Sequence, residues 1–84
     1  MTLLIIENEP DQAELYRALF GTDHEVVVFP DGARALEYLA EHLDELDALL
    51  TDHDLDGPLK GLDVIREARA LEFDGTIVMV TSSE

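Results

Sequence analysis

Short apolar runs separated by amphipathic stretches set the pattern of this chain. Leu3-Leu4-Ile5-Ile6, Val26-Val27-Val28-Phe29, Ala48-Leu49-Leu50 and Ile77-Val78-Met79-Val80 each stand between polar residues. Runs this short and this continuous predict strands buried on both faces, as in a parallel sheet. Strands are expected over Thr2 to Ile6, Glu25 to Phe29, Asp47 to Thr51 and Thr76 to Val80, with Met79 in the core. Between them the spacing becomes helical. Glu9-Pro10-Asp11 opens a first helix, because proline is tolerated in a first turn and acids there complement the helix dipole. Ala13, Tyr16, Leu19 and Phe20 form its apolar stripe, and Gly21 ends it. Asp31-Gly32 opens a second helix with Ala35, Leu36, Leu39 and Leu43 as its buried stripe. After a Gly- and Pro-bearing loop from Leu55 to Lys60, the residues Leu62, Ile65 and Leu71 mark a third helix. Asp74-Gly75 then turns the chain into the last strand. Strand–helix alternation of this kind predicts an α/β fold, (βα)3β, with right-handed crossovers and a parallel sheet.

Composition changes the picture in one respect, the charge. The chain has 84 residues, so it forms at most one small domain, and its apolar content of 46% is ordinary for a globular protein. Against five Lys plus Arg stand 20 Asp plus Glu, a formal net charge of −15. Such a chain repels nucleic acid and anionic membrane at long range. Lys60 is its only lysine, and the acids are spread rather than blocked. An acid-rich, lysine-poor surface suits a high-salt, halophilic cytoplasm, where self-repulsion is screened. The absence of cysteine excludes disulfides, thiol catalysis and zinc-thiolate sites. No apolar run is long enough to span a bilayer, and the N-terminus lacks the basic region of a signal peptide, so a cytoplasmic location is expected.

Acids sit directly after two of the apolar runs: Glu7-Asn8-Glu9 after the first strand and Asp52 after the third. In an open parallel sheet, ligands bind outside the carboxyl ends of the strands where the strand order reverses. If strands one and three are neighbours, Glu7, Asn8 and Asp52 face one another across that point. Converging carboxylates repel unless a proton or a cation intervenes, and the chemistry that fits is a hard metal ion with a phosphoryl group. Asp52 could ligate magnesium and also serve as a nucleophile, forming an aspartyl-phosphate. Thr81 or Ser82 could donate a hydroxyl to a phosphoryl oxygen. The same acids also read as ordinary solvated loop carboxylates. A further alternative is a calcium loop over residues 52–63, because Asp52-His53-Asp54-Leu55-Asp56-Gly57 with Asp63 follows the D-x-D-x-D-G spacing. Against it, the last ligand is Asp rather than Glu, and a strand rather than a helix leads in. The three histidines share no metal-ligand spacing and read as scattered surface residues. Tyr16, Phe20, Phe29, Tyr38 and Phe73 read as core and helix-face packing.

Leu4-Ile5-Ile6-Glu7-Asn8-Glu9-Pro10, Asp47-Ala48-Leu49-Leu50-Thr51-Asp52, Gly61-Leu62-Asp63-Val64-Ile65 and Ile77-Val78-Met79-Val80-Thr81-Ser82 resemble the receiver domain of two-component response regulators. His24 to Val28 with Asp31-Gly32-Ala33-Arg34-Ala35-Leu36 matches that family's second strand and helix, so the resemblance runs through residues 1–84 in order. It implies a flavodoxin-like fold with strand order 2-1-3-4, here without the last helix-strand-helix of a full receiver. It also implies a chain that is a fragment, with strand four as an open edge through which copies could associate. The resemblance makes Asp52 the phosphoacceptor, a sensor histidine kinase the partner and Mg2+ the cofactor. The metal would be held by Glu7, Asn8, Asp52 and the backbone carbonyl of Asp54. Thr81 falls on the switch hydroxyl, with the Ser82 amide beside it. Asn8 replaces the usual second acid, so magnesium should bind more weakly, and Asp56 replaces a common proline. The lysine that normally contacts the phosphoryl group belongs to the segment not present, and Lys60 lies in a different loop. Asn8 and the lack of that lysine favour the alternative of a pseudo-receiver, a phosphorylation-independent protein–protein interaction module. Either way the chain is expected to be a signalling module rather than a turnover enzyme.

Overall fold

A computed structural model of the chain describes residues 1–55 and 57–80. The element order is β1 (Thr2–Ile6), α1 (Pro10–Phe20), β2 (Glu25–Phe29), α2 (Gly32–Glu41), β3 (Ala48–Asp52), α3 (Gly61–Ala70) and β4 (Thr76–Val80). The four strands form one parallel sheet in the order β2-β1-β3-β4. This is the expected (βα)3β arrangement with the flavodoxin-like strand order. The third strand ends one residue later than its apolar run implied, at Asp52. The Asp52–Val80 pairing makes the last rung, and the His53 amide then donates to the Val80 carbonyl at 2.9 Å.

The order explains the layers. From β1 the chain moves outward to β2, then returns across β1 to β3 and on to β4. With right-handed crossovers, that reversal sends the connecting helices to opposite faces of the sheet. Leu4, Ile6 and Leu49 point to one face and pack with Ala35 and Leu39 of α2 and with Val64 and Ala68 of α3. Leu55 and Phe73, from the loops flanking α3, complete that core. The alternate residues Leu3, Ile5, Leu50 and Val78 point the other way, where Phe20 of α1 covers part of them.

The two faces are unequally filled, and several expectations change accordingly. No residue of α1 is fully buried, and Leu19, placed on its apolar stripe from spacing, is 60% exposed. One helix lies over that face, and it sits toward the β1–β2 side. The fourth strand likewise has no buried residue: Val78 is 44% exposed and Met79 only half-buried. Met79 is therefore half-buried rather than in the core, because β4 is an edge of the sheet among the described residues. In α2 the stripe is as expected for Ala35, Leu36 and Leu39, while Leu43 lies beyond the helix end, half-buried. In α3 the buried positions are Gly61, Val64 and Ala68, and Leu62 is exposed. The three histidines are half-buried, with the His53 side chain 44% exposed. His42 stacks on Tyr38 with ring centroids 3.9 Å apart, and the Nδ1 of His24 is buried without a hydrogen-bond partner. Among the described residues no helix is long and apolar enough to cross a membrane.

Candidate functional site

The site follows from strand register. Ile6 pairs with Thr51 in the β1–β3 ladder, so the next residues, Glu7 and Asp52, stand side by side at the carboxyl ends of adjacent strands. This is also where the sheet changes its direction of winding. The Glu7 amide donates to the Phe29 carbonyl at 3.0 Å, which extends β1 pairing by one residue and fixes the backbone there. Glu7 is consequently a buried acid, only 6% exposed. Its Oε2 accepts from the Glu9 amide at 3.1 Å, within the turn that leads into Pro10 and α1. Asp52 is half-buried. Both acids line a cleft of about 310 Å³ shared with Glu9, Asp11, Gln12 and Tyr16 on the α1 side and with Val80 on β4.

Electrostatics mark Glu7 as the strained member. Burial is the main cause that pushes its carboxyl above the usual 4.5, with the charges of Asp52 and Glu9 adding to it and the amides of Glu9 and Asn8 opposing. An acid raised in the folded state takes up protons on folding, so its contribution is most favourable below 4.5 and is lost as pH rises through the folded value. Glu7→Gln keeps an acceptor for the Glu9 amide and removes the charge. Its melting temperature is expected to exceed that of the wild type at neutral pH, with the gap closing as pH falls towards 4.5. A gap that stayed constant across this range in thermal melts would mean that the ionised form bears no penalty.

The backbone around Asp52 is tightly placed. The fully buried Thr51 donates its hydroxyl to the Asp52 carbonyl at 3.0 Å. Behind that carbonyl lies Gly61, the first residue of α3. A Cβ at this position would come within 2.5 Å of the Asp52 oxygen and 2.9 Å of the His53 Cα. Glycine is what lets the helix approach so closely.

Of the residues expected at the site, the fold brings Glu7 and Asp52 together and sets Asp54 in the loop just after β3. Asn8 is half-buried beside them but does not line the cleft, whereas Glu9 and Asp11 do. The sequence places Glu9 among the acids after the first strand without a ligand role, and gives Asp11 only a helix-start role. Thr81 and Ser82 lie outside the described residues. Among the described residues no three His, Asp or Glu side chains converge closely enough to hold a metal unaided. A buried carboxylate of raised pKa beside a second one nonetheless fits magnesium, which takes one or two carboxylates, a carbonyl and retained water. The calcium-loop alternative fits poorly. A strand leads into Asp52, and the Asp63 carboxylate at the expected last position accepts the Lys60 amide at 3.0 Å as part of the α3 start.

Comparison with known proteins follows the same line. The beryllium-fluoride-activated N-terminal receiver domain of RstA from Klebsiella pneumoniae has a TM-score of 0.86 at 33% identity, over 100% of this chain and 69% of that one. A response regulator receiver domain from Clostridium thermocellum scores 0.89 at 21% identity, over 95% of this chain and 64% of that chain. The receiver domain of the hybrid histidine kinase CckA scores 0.79 at 21% identity, over 100% of this chain and 87% of its own. The chain thus spans 64% and 69% of the length of the first two. No curated protein matches it. The sequence profile described as the response regulator receiver domain matches residues 3–84, and with the sheet wound as in those structures the chain belongs to that family.

Proposed function

We propose that the chain is the phospho-accepting part of a two-component receiver, phosphorylated on Asp52 by a sensor histidine kinase with magnesium. The observation that carries this reading is the β1–β3 register, which sets a buried Glu7 beside Asp52 at the switch point of a receiver sheet. One Asp52 carboxylate oxygen forms the new P–O bond as the donor's P–N bond breaks, and the leaving imidazole takes up a proton. Magnesium, when bound, neutralises charge shared by the carboxylates and the phosphoryl oxygens. Glu7, Asp52, the Asp54 carbonyl and Asn8 would hold it, with Glu9 and Asp11 adding negative charge along the cleft. Thr81 and Ser82 keep their proposed roles as phosphoryl-contacting groups. Phosphate acts here as a switch that shifts the population between two states, rather than as a product of turnover. The acidic surface fits a cytoplasm of high salt, and the edge that β4 forms among the described residues offers a place for copies to associate.

The test is intact mass after incubation with a small-molecule phosphodonor in high potassium chloride, with and without magnesium. A magnesium-dependent gain of one phosphoryl group is expected, and complete loss of that gain in Asp52→Asn. The position of Asn8, outside the cleft lining, favours a second reading as a pseudo-receiver. A folded wild-type protein that gains no phosphoryl group, yet keeps a partner through Asp52→Asn, would establish that reading instead.

A further inference from the structure

The loop from β3 to α3 holds an interaction that the chemistry above does not use. Lys60, the only lysine of the chain, stands at the N-cap of α3. That position favours Ser, Thr, Asp or Asn, whose oxygens accept from the first turn, whereas an ammonium can only donate. Lys60 instead turns its side chain back along the loop, and its Nζ donates to the Leu55 carbonyl at 2.7 Å. Such a charge-assisted bond is among the stronger ones available to a carbonyl.

The residues on either side of Asp54 are thereby both fixed. On one side, His53 donates its amide to the Val80 carbonyl at 2.9 Å and accepts from the Gly61 amide at 3.0 Å. On the other, Leu55 is anchored by its buried side chain and by the Lys60 ammonium on its carbonyl. The first clamp is main chain throughout; the second depends on one side chain. We propose that Lys60 is a positioning residue for the phosphorylation site: by pinning Leu55 it holds the Asp54 peptide, and with it the Asp54 carbonyl, beside Asp52. The inference rests on the receiver reading above, and it assigns Lys60 no contact with the phosphoryl group.

The test compares wild type, Lys60→Met and Lys60→Arg in three measurements. Amide hydrogen exchange is followed without metal. Magnesium chloride is titrated against the amide shifts of residues 53–55. The phosphorylation rate is measured with the small-molecule donor. Lys60→Met is expected to speed exchange in residues 53–55 and to weaken magnesium binding about tenfold, the scale of losing a partner that orients a ligand. Exchange in β1 and α2 should stay unchanged, and Lys60→Arg should restore both losses. Wild-type exchange in the loop, or wild-type magnesium affinity, in Lys60→Met would overturn the proposal. So would exchange that rises uniformly across the chain, since that marks a general stability role. A wild-type chain that takes up neither magnesium nor phosphoryl would overturn the receiver reading and the functional half of this inference. The metal-free exchange would still decide whether Lys60 orders the loop.

Discussion

Gly61→Ala is expected to destabilise the fold by about 1–3 kcal/mol, the usual range for overpacking, and to slow phosphorylation of Asp52 in the molecules that remain folded. Helix propensity alone points the other way, to a gain of roughly 0.5–1 kcal/mol for alanine over glycine within a helix. The sign of the change therefore decides which effect governs this position. The obstacle is backbone, the Asp52 carbonyl at 2.5 Å and the His53 Cα at 2.9 Å, so no side-chain rotation can relieve it. Either α3 moves away and loosens Val64 and Ala68, or the end of β3 is pushed towards the cleft. The first shows as a lower denaturation midpoint, the second as a lower rate per folded molecule. A variant with an unchanged midpoint and an unchanged rate would mean that α3 does not approach Asp52 as described.

Leu39→Ala is expected to cost about 2–5 kcal/mol, from lost transfer energy plus the cavity left behind. Leu39 is fully buried between the sheet and α3, in the single cluster that also holds Leu4, Leu49, Val64 and Ala68. Domains carry roughly 0.05–0.15 kcal/mol of stability per residue, so a loss of that size removes a large share of what a chain this short has. Leu19→Ala makes the contrast. It also removes a leucine from an amphipathic helix, yet Leu19 is 60% exposed and the change should stay within about 0.5 kcal/mol. Chemical denaturation of the two variants checks the pair, and equal losses would contradict the unequal filling of the two faces.

The strands were legible because continuous apolar runs have few alternatives, and three of the four have the bounds expected from them. The alternation with helices, together with the family motifs, was enough for the sheet order and for the meeting of Glu7 with Asp52. Helix facing was less legible. In α3 the stripe through Leu62 and the stripe through Val64 both have helical spacing, and hydrophobicity favours leucine. Gly61 decides between them. Only glycine fits against the Asp52 carbonyl, so residue 61 must face inward, which carries 64 and 68 inward with it and leaves Leu62 outside. That is a tertiary constraint with no trace in periodicity. Met79 and Leu19 were misjudged for a related reason: an apolar run shows what can be buried, while burial itself depends on how many layers cover each face. Asn8 and Glu9 differ again, since which neighbouring side chain at a strand end reaches a cleft depends on the turn into α1.

The cleft shared by Glu7 and Asp52 has walls of very different stiffness. One is the end of β3 with its loop, seated on the main core and tied by Thr51, Gly61 and Lys60. The other is the first turns of α1, a helix without one fully buried side chain. Elements with few buried contacts open locally at a fraction of the global unfolding energy. The cleft therefore works as a fixed anvil facing a compliant finger. Whatever docks at its mouth meets the Asp52 carboxylate already in place, and moulds the α1 side around itself.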